Sequence, residues 1–203
     1  GSPSGTTENW SNNSFSNITL AGATTFGGIQ NSDGGAPTKT ISGNTVSNVS
    51  GTTGAATGML VTYGTATISG NTITNISAGG TVIGISAGNS STTLQNISGN
   101  IINTLSSTGA AAVTGIISSP SGTSAASNIF KNKISNLSGS NASSTVTGIS
   151  ITLGTTTTVY NNILGDLRTT AANAANPLVG IAVSGGTTVN LYNNTVWLNG
   201  TSA

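Results

Sequence analysis

The sequence predicts an all-β fold, a right-handed parallel β-helix solenoid of about six to seven coils of roughly 30 residues. Three observations carry this expectation. One phrase recurs along the whole chain, apolar residues keep fixed offsets from one asparagine in every copy, and the composition disfavours helix. The phrase is Ile41-Ser-Gly-Asn-Thr-Val-Ser-Asn-Val-Ser50, repeated as Ile68-Ser-Gly-Asn-Thr-Ile-Thr-Asn-Ile-Ser77 and Ile97-Ser-Gly-Asn-Ile-Ile-Asn-Thr-Leu-Ser106. Weaker copies open at Trp10, Ile129, Val159 and Leu191. Aligned, the seven copies share Asn13, Asn44, Asn71, Asn100, Asn132, Asn162 and Asn194, separated by 31, 27, 29, 32, 30 and 32 residues.

Each element of a coil follows from these columns. An apolar column stands three residues before the asparagine: Trp10, Ile41, Ile68, Ile97, Ile129, Val159 and Leu191. A corner follows, because the residue before the asparagine is Asn12, Gly43, Gly70, Gly99, Asn161 or Asn193, types that tolerate left-handed backbone; Lys131 is the single exception. The asparagines themselves are predicted to stack as a structural ladder, each amide donating to one coil and accepting from another. Two more apolar columns follow: Phe15, Val46, Ile73, Ile102, Ile134, Leu164 and Val196 two residues on, and Ile18, Val49, Ile76, Leu105, Leu137 and Leu167 five residues on. Four residues on, Asn17, Asn48, Asn75, Thr104, Asn136 and Asp166 mark another turn or an outer ladder. A further column opens the second half of each repeat, at Gly28-Ile29, Gly58-Met59, Gly84-Ile85, Gly115-Ile116, Gly148-Ile149 and Gly180-Ile181, so that every repeat supplies several short strands. Equivalent strands of successive coils then pair in parallel, ~4.8 Å apart, and the right-handed connection is the strong default for parallel strands. Gly at about one residue in seven, together with abundant Thr, Ile and Val, argues against helix.

Composition narrows function. Ser 30, Thr 36, Asn 25 and Gly 29 make up 120 of the 203 residues, whereas only seven are charged, for a net charge of +1. No basic stripe exists to attract nucleic acid or an anionic membrane surface, and no apolar run approaches the ~18 residues of a membrane-spanning helix. The chain has no Cys and no His, which removes disulfides, thiol chemistry, imidazole dyads and Cys/His zinc sites. The expectation is no cofactor, no metal and no enzymatic activity. The three carboxylates point the same way: Glu8 is read as preceding the first coil, Asp33 as lying in a loop, and Asp166 as sitting roughly 20 Å from Asp33 along the axis.

Four further features are weighed against plainer readings. Lys131, Lys133, Asp166 and Arg168 gather on two adjacent coils and could contact an acidic glycan, although a local ion pair on a solvated edge is favoured. Tyr160 and Tyr192 share a register and could make a small aromatic step for sugar, against ordinary stacking between coils. The pairs Thr38/Thr40, Thr65/Thr67 and Thr156/Thr158 put hydroxyls on one face as an ice-binding array would, but Leu94/Asn96 and Ala126/Asn128 interrupt it. Asn-X-Ser/Thr triplets at Asn17, Asn48, Asn75, Asn136 and Asn199 match glycan acceptors, yet most follow from the repeat phrase itself.

The whole chain resembles the pectate-lyase-like right-handed β-helix superfamily. The stretches Thr156-Thr-Thr-Val-Tyr-Asn-Asn-Ile-Leu-Gly-Asp-Leu-Arg168, Asn173-Ala-Ala-Asn-Pro-Leu-Val-Gly-Ile181 and Ser184-Gly-Gly-Thr-Thr-Val-Asn-Leu-Tyr-Asn-Asn-Thr-Val-Trp-Leu-Asn199 look like repeats of long secreted Bacteroidetes surface proteins exported by the type IX pathway. That resemblance implies an extracellular or cell-surface location and an adhesin-like or filament-forming role. Residues 1–203 are thus expected to be a single repeat array within a longer one, its ends covered by further coils or by end-to-end copies of itself. The leading expectation is a non-catalytic structural or adhesive module; a carbohydrate-binding or polysaccharide-processing β-helix is the alternative, and an ice-binding face ranks third.

Overall fold

The structure is a computed structural model that describes residues 6–34, 37–88 and 94–198. Every regular element among them is a β-strand, and the strands form three parallel sheets. Sheet A holds Thr7–Ser11, Thr38–Ser42, Thr65–Ser69, Leu94–Ser98, Ala126–Phe130, Thr156–Tyr160 and Thr188–Tyr192. Sheet B holds Ser14–Leu20, Thr45–Gly51, Thr72–Ala78, Ile101–Ser107, Lys133–Gly139, Ile163–Arg168 and Thr195–Trp197. Sheet C holds Phe26–Asn31, Ala56–Val61, Val82–Ala87, Ala112–Ser118, Thr145–Ile151 and Leu178–Val183. The chain visits A, B and C in turn, giving six full coils and two strands of a seventh. The predicted repeat is therefore the physical coil of a parallel β-solenoid.

Register makes each sequence column a stack. Ile41 pairs with Ile68, Ile68 with Ile97 and Ile97 with Ile129 in sheet A; Ile73 pairs with Ile102 and Ile102 with Ile134 in sheet B. These side chains are fully buried and form one continuous core along the axis. At the two end coils the same columns are open: Trp10 is 38%, Leu191 47% and Val196 42% exposed.

Sheet B poses a geometric problem, because a regular strand turns alternate residues to opposite faces, yet Val46 and Val49, three apart, both point inward. The residue between them supplies the answer. Asn17, Asn48, Asn75, Thr104, Asn136 and Asp166 have φ of 61, 55, 55, 57, 56 and 54°, and each is skipped in the pairing register. One left-handed residue resets the alternation and bends the strand around the core. The predicted second turn is thus a bend inside a strand rather than a gap between strands.

Sheet C solves the same problem with glycine. Ala56 and Met59 are both buried, and Gly58 between them drops out of register. Here the requirement is close approach. A Cβ on Gly115 would lie 2.6 Å from the carbonyl oxygen of Gly148 and 2.8 Å from Cγ2 of Ile134. Gly84 meets the equivalent atoms of Gly115 and Ile102 at 2.6 and 2.9 Å. Backbone and a packed core residue cannot both yield, so Gly115→Ala is expected to destabilise the fold by roughly 1–3 kcal/mol, as overpacking does. Denaturant unfolding of that variant checks this; an unchanged midpoint would mean the coils separate readily.

Candidate functional site

The densest array of organised polar groups runs along the interior of the corner between sheets A and B. Asn44, Asn71, Asn100 and Asn162 are 0% exposed and Asn132 1%. At Asn71, Oδ1 accepts from the backbone N–H of Asn44 at 2.9 Å and from its Nδ2 at 3.0 Å. The Nδ2 of Asn71 donates to Oδ1 of Asn100 at 2.9 Å and to the carbonyl of Ile41 at 2.9 Å. Its backbone N–H also reaches Asn100 Oδ1, at 3.0 Å. Both acceptor positions and both donor hydrogens of the amide are used.

The pattern repeats at Asn100 and Asn132, and Asn162 continues it to Asn194. Asn13 begins the ladder, donating to Asn44 from its backbone and side chain. The corner that aims each amide inward needs a left-handed residue just before it. Asn12, Gly43, Gly70, Gly99, Asn161 and Asn193 supply it with φ between 54 and 64°, and Lys131 is held there too at 56°.

Two expected outcomes follow. Asn100→Leu removes the acceptor of the Asn71 Nδ2 and backbone N–H and the side-chain donor to Asn132 Oδ1, leaving buried polar groups unpaired, so it is expected to cost on the order of 1–3 kcal/mol by chemical denaturation. Lys131→Asn relieves a side chain from a conformation that suits it poorly and is expected to stabilise by about 0.5–1 kcal/mol; a loss of stability would show that Lys131 makes a contact that outweighs the strain.

The outer-face candidates separate. Asp166 and Arg168 form an ion pair, Nε to Oδ1 3.3 Å, and the Arg168 guanidinium also donates to Asn136 Oδ1. Lys131 and Lys133 are exposed at the corner. Lys133 stands beside Ile163, at the start of the strand whose end carries Arg168. Two cations and an ion pair thus lie on one side of the solenoid without forming a single cluster.

Tyr160 and Tyr192 do stack, and Phe130 extends the stack: ring centroids are 4.9 Å apart for Phe130 and Tyr160, with an interplanar angle of 3°, and 5.3 Å and 17° for the two tyrosines. The ring faces of Phe130 and Tyr160 and of Tyr160 and Tyr192 are turned to one another between coils, and Tyr192, 49% exposed, ends the stack. The Thr pairs face outward on sheet A in register, with Leu94/Asn96 and Ala126/Asn128 in the middle, as their sequence positions require.

On the outer face of sheet B, a cleft of ≈ 360 Å³ is lined by Asn48, Ser50, Asn75, Ser77, Thr104 and Ser106 among others. Here Asn48 Nδ2 donates to Asn17, Asn75 Nδ2 to Asn48, and Asn136 Nδ2 to Thr104 Oγ1. At Asn48, Asn75 and Asn136 the nitrogen a glycan would occupy thus donates within this outer column; the triplet at Asn199 lies outside the described residues.

One cluster corrects the sequence reading. Glu8 does not precede the first coil: it lies in the first strand of sheet A, in register with Lys39. Lys39 points into the solenoid and is 0% exposed. Its Nζ donates to the carbonyls of Thr62 at 2.6 Å and Asp33 at 3.3 Å. Burial pushes the amine below its ordinary pKa, while the Glu8 and Asp33 carboxylates act in the opposite sense. Asn31, also buried, donates from Nδ2 to Glu8 Oε2 and accepts from the Asp33 amide at 3.3 Å. Two of the three carboxylates are therefore gathered around one cation rather than dispersed. The signal was alternation: with Thr38 and Thr40 outward, Lys39 had to face inward. Among the described residues no group of three or more acidic, His or Cys side chains could hold a metal ion.

No protein-family model, no curated protein and no solved structure matches the chain.

Proposed function

We propose that the chain is a non-catalytic structural or adhesive module of an extracellular or cell-surface protein, a rigid spacer that extends by stacking one coil on the next. The observation that supports this reading is the ladder. The amides of Asn71, Asn100 and Asn132 spend every hydrogen bond along the axis, and the same pattern runs from Asn13 to Asn194.

In the seventh coil, Leu191 and Val196, 47 and 42% exposed, occupy columns whose equivalents in the inner coils, such as Val159 and Leu164, are buried. Such a face accepts another coil, from the same polypeptide or from the end of a second copy, because both parallel strand pairing and the asparagine column can continue across it. The resemblance to type IX-exported Bacteroidetes surface repeats is part of the same proposal and supplies its location.

Sedimentation velocity across a concentration series tests the reading. Association that grows with concentration and is suppressed by Val196→Lys with Trp197→Lys is expected. A monodisperse species at high concentration, unaltered by those substitutions, would contradict stacking of copies. A glycan array tests the second reading, which the sheet B cleft favours by setting hydroxyl and amide side chains beside the apolar Val49 and Ile76.

A further inference from the structure

The corner where the first coil passes from sheet C into sheet A brings a buried amine and a buried carboxamide together beside a half-buried carboxylate. Lys39 is 0% and Asn31 4% exposed, and Glu8 is the register partner of Lys39 in the adjacent strand. Amine and carboxamide are bridged by a single residue: Lys39 Nζ donates to the Asp33 carbonyl, and the Asp33 N–H donates to Asn31 Oδ1, each at 3.3 Å. On its other side the Asn31 carboxamide donates from Nδ2 to Glu8 Oε2. The other groups facing the amine are the Thr62 carbonyl and the Asp33 carboxylate, and the next side chain along its column is that of Ala66.

We infer that Lys39, Asn31 and Glu8 form the site of an autocatalytic intramolecular amide cross-link between Lys39 and Asn31. The uncharged Nζ attacks Cγ of Asn31, and the Nζ–Cγ bond forms. Glu8, acting as a base, takes a proton from Nζ and delivers it to Nδ2. The Cγ–Nδ2 bond then breaks, and the nitrogen leaves as ammonia. The glutamate ends as it began, no electrons are gained or lost, and no co-reactant is consumed.

Three features of the site favour this course. Burial, which lowers the amine's pKa, raises the share of uncharged nucleophile above that of a surface lysine. The folded chain holds nucleophile and electrophile in one corner, replacing a bimolecular encounter. Lys39 and Asn31 are themselves buried, which limits the water that would otherwise hydrolyse the carboxamide. The bond would tie the end of the first coil to the start of the second and lock the amino-terminal end of the array.

Mass spectrometry of the purified chain, unfolded after incubation in the folded state, tests the inference. The expected result is a mass lower than the sequence mass by one ammonia. With it, trypsin no longer cleaves after Lys39, and the resulting peptide of residues 1–131 carries the whole mass deficit as an internal loop between Asn31 and Lys39. Glu8→Gln is expected to restore the full mass. An unmodified wild-type chain overturns the inference without recourse to any variant. So does a loss of water in place of ammonia, which would put the bond on a carboxylate, or an ammonia loss that persists in Lys39→Met, which would mark cyclisation of Asn31 on its own backbone.

Discussion

A buried primary amide is costly unless both its hydrogens and both its acceptor positions find partners, and this solenoid depends on meeting that demand identically in successive coils. One asparagine carboxamide cannot satisfy itself, but a column of them at the spacing of parallel strands can. Each oxygen takes two hydrogens from the coil on one side, while each nitrogen gives one to the next asparagine and one back to a backbone carbonyl. Asn71, Asn100 and Asn132 complete the full set. A coil displaced by one residue would break every bond of the set, so the ladder fixes register as well as supplying stability.

The rest of the coil is arranged around that column. Sheet A must deliver the chain to the corner with its last apolar residue inward, and a left-handed residue must turn it before the asparagine. Sheets B and C must then each wrap the core within one strand. Sheet B does so with a left-handed residue and sheet C with a glycine whose missing side chain lets adjacent backbones and the isoleucine column close up. These are different solutions to one constraint, that residues three apart in a strand should both face inward.

Legibility in the sequence follows repetition. Ile41, Ile68 and Ile97 or Asn44, Asn71 and Asn100 could be read as stacks because the same chemistry returns at the same spacing, and a parallel solenoid places like on like. What occurs once was hidden. Lys39 has Glu8, Ala66, Gln95 and Ser127 as its column neighbours, so no column announced it. Phe130 occupies the column of Tyr160 and Tyr192 but follows Ser98, which obscured the stack's beginning. Lys131 and Thr104 adopt left-handed backbone against their own preference because coils on both sides impose the turn; local propensity yields to a ladder already in register.

The account's central claim is that the ladder amides are fully engaged inside the solenoid, and side-chain hydrogen exchange followed by NMR tests it most directly. The Nδ2 protons of Asn71, Asn100 and Asn132 should exchange only when the array unfolds, with the protection of core backbone amides. Exchange as fast as that of the exposed Asn12 side chain would contradict it.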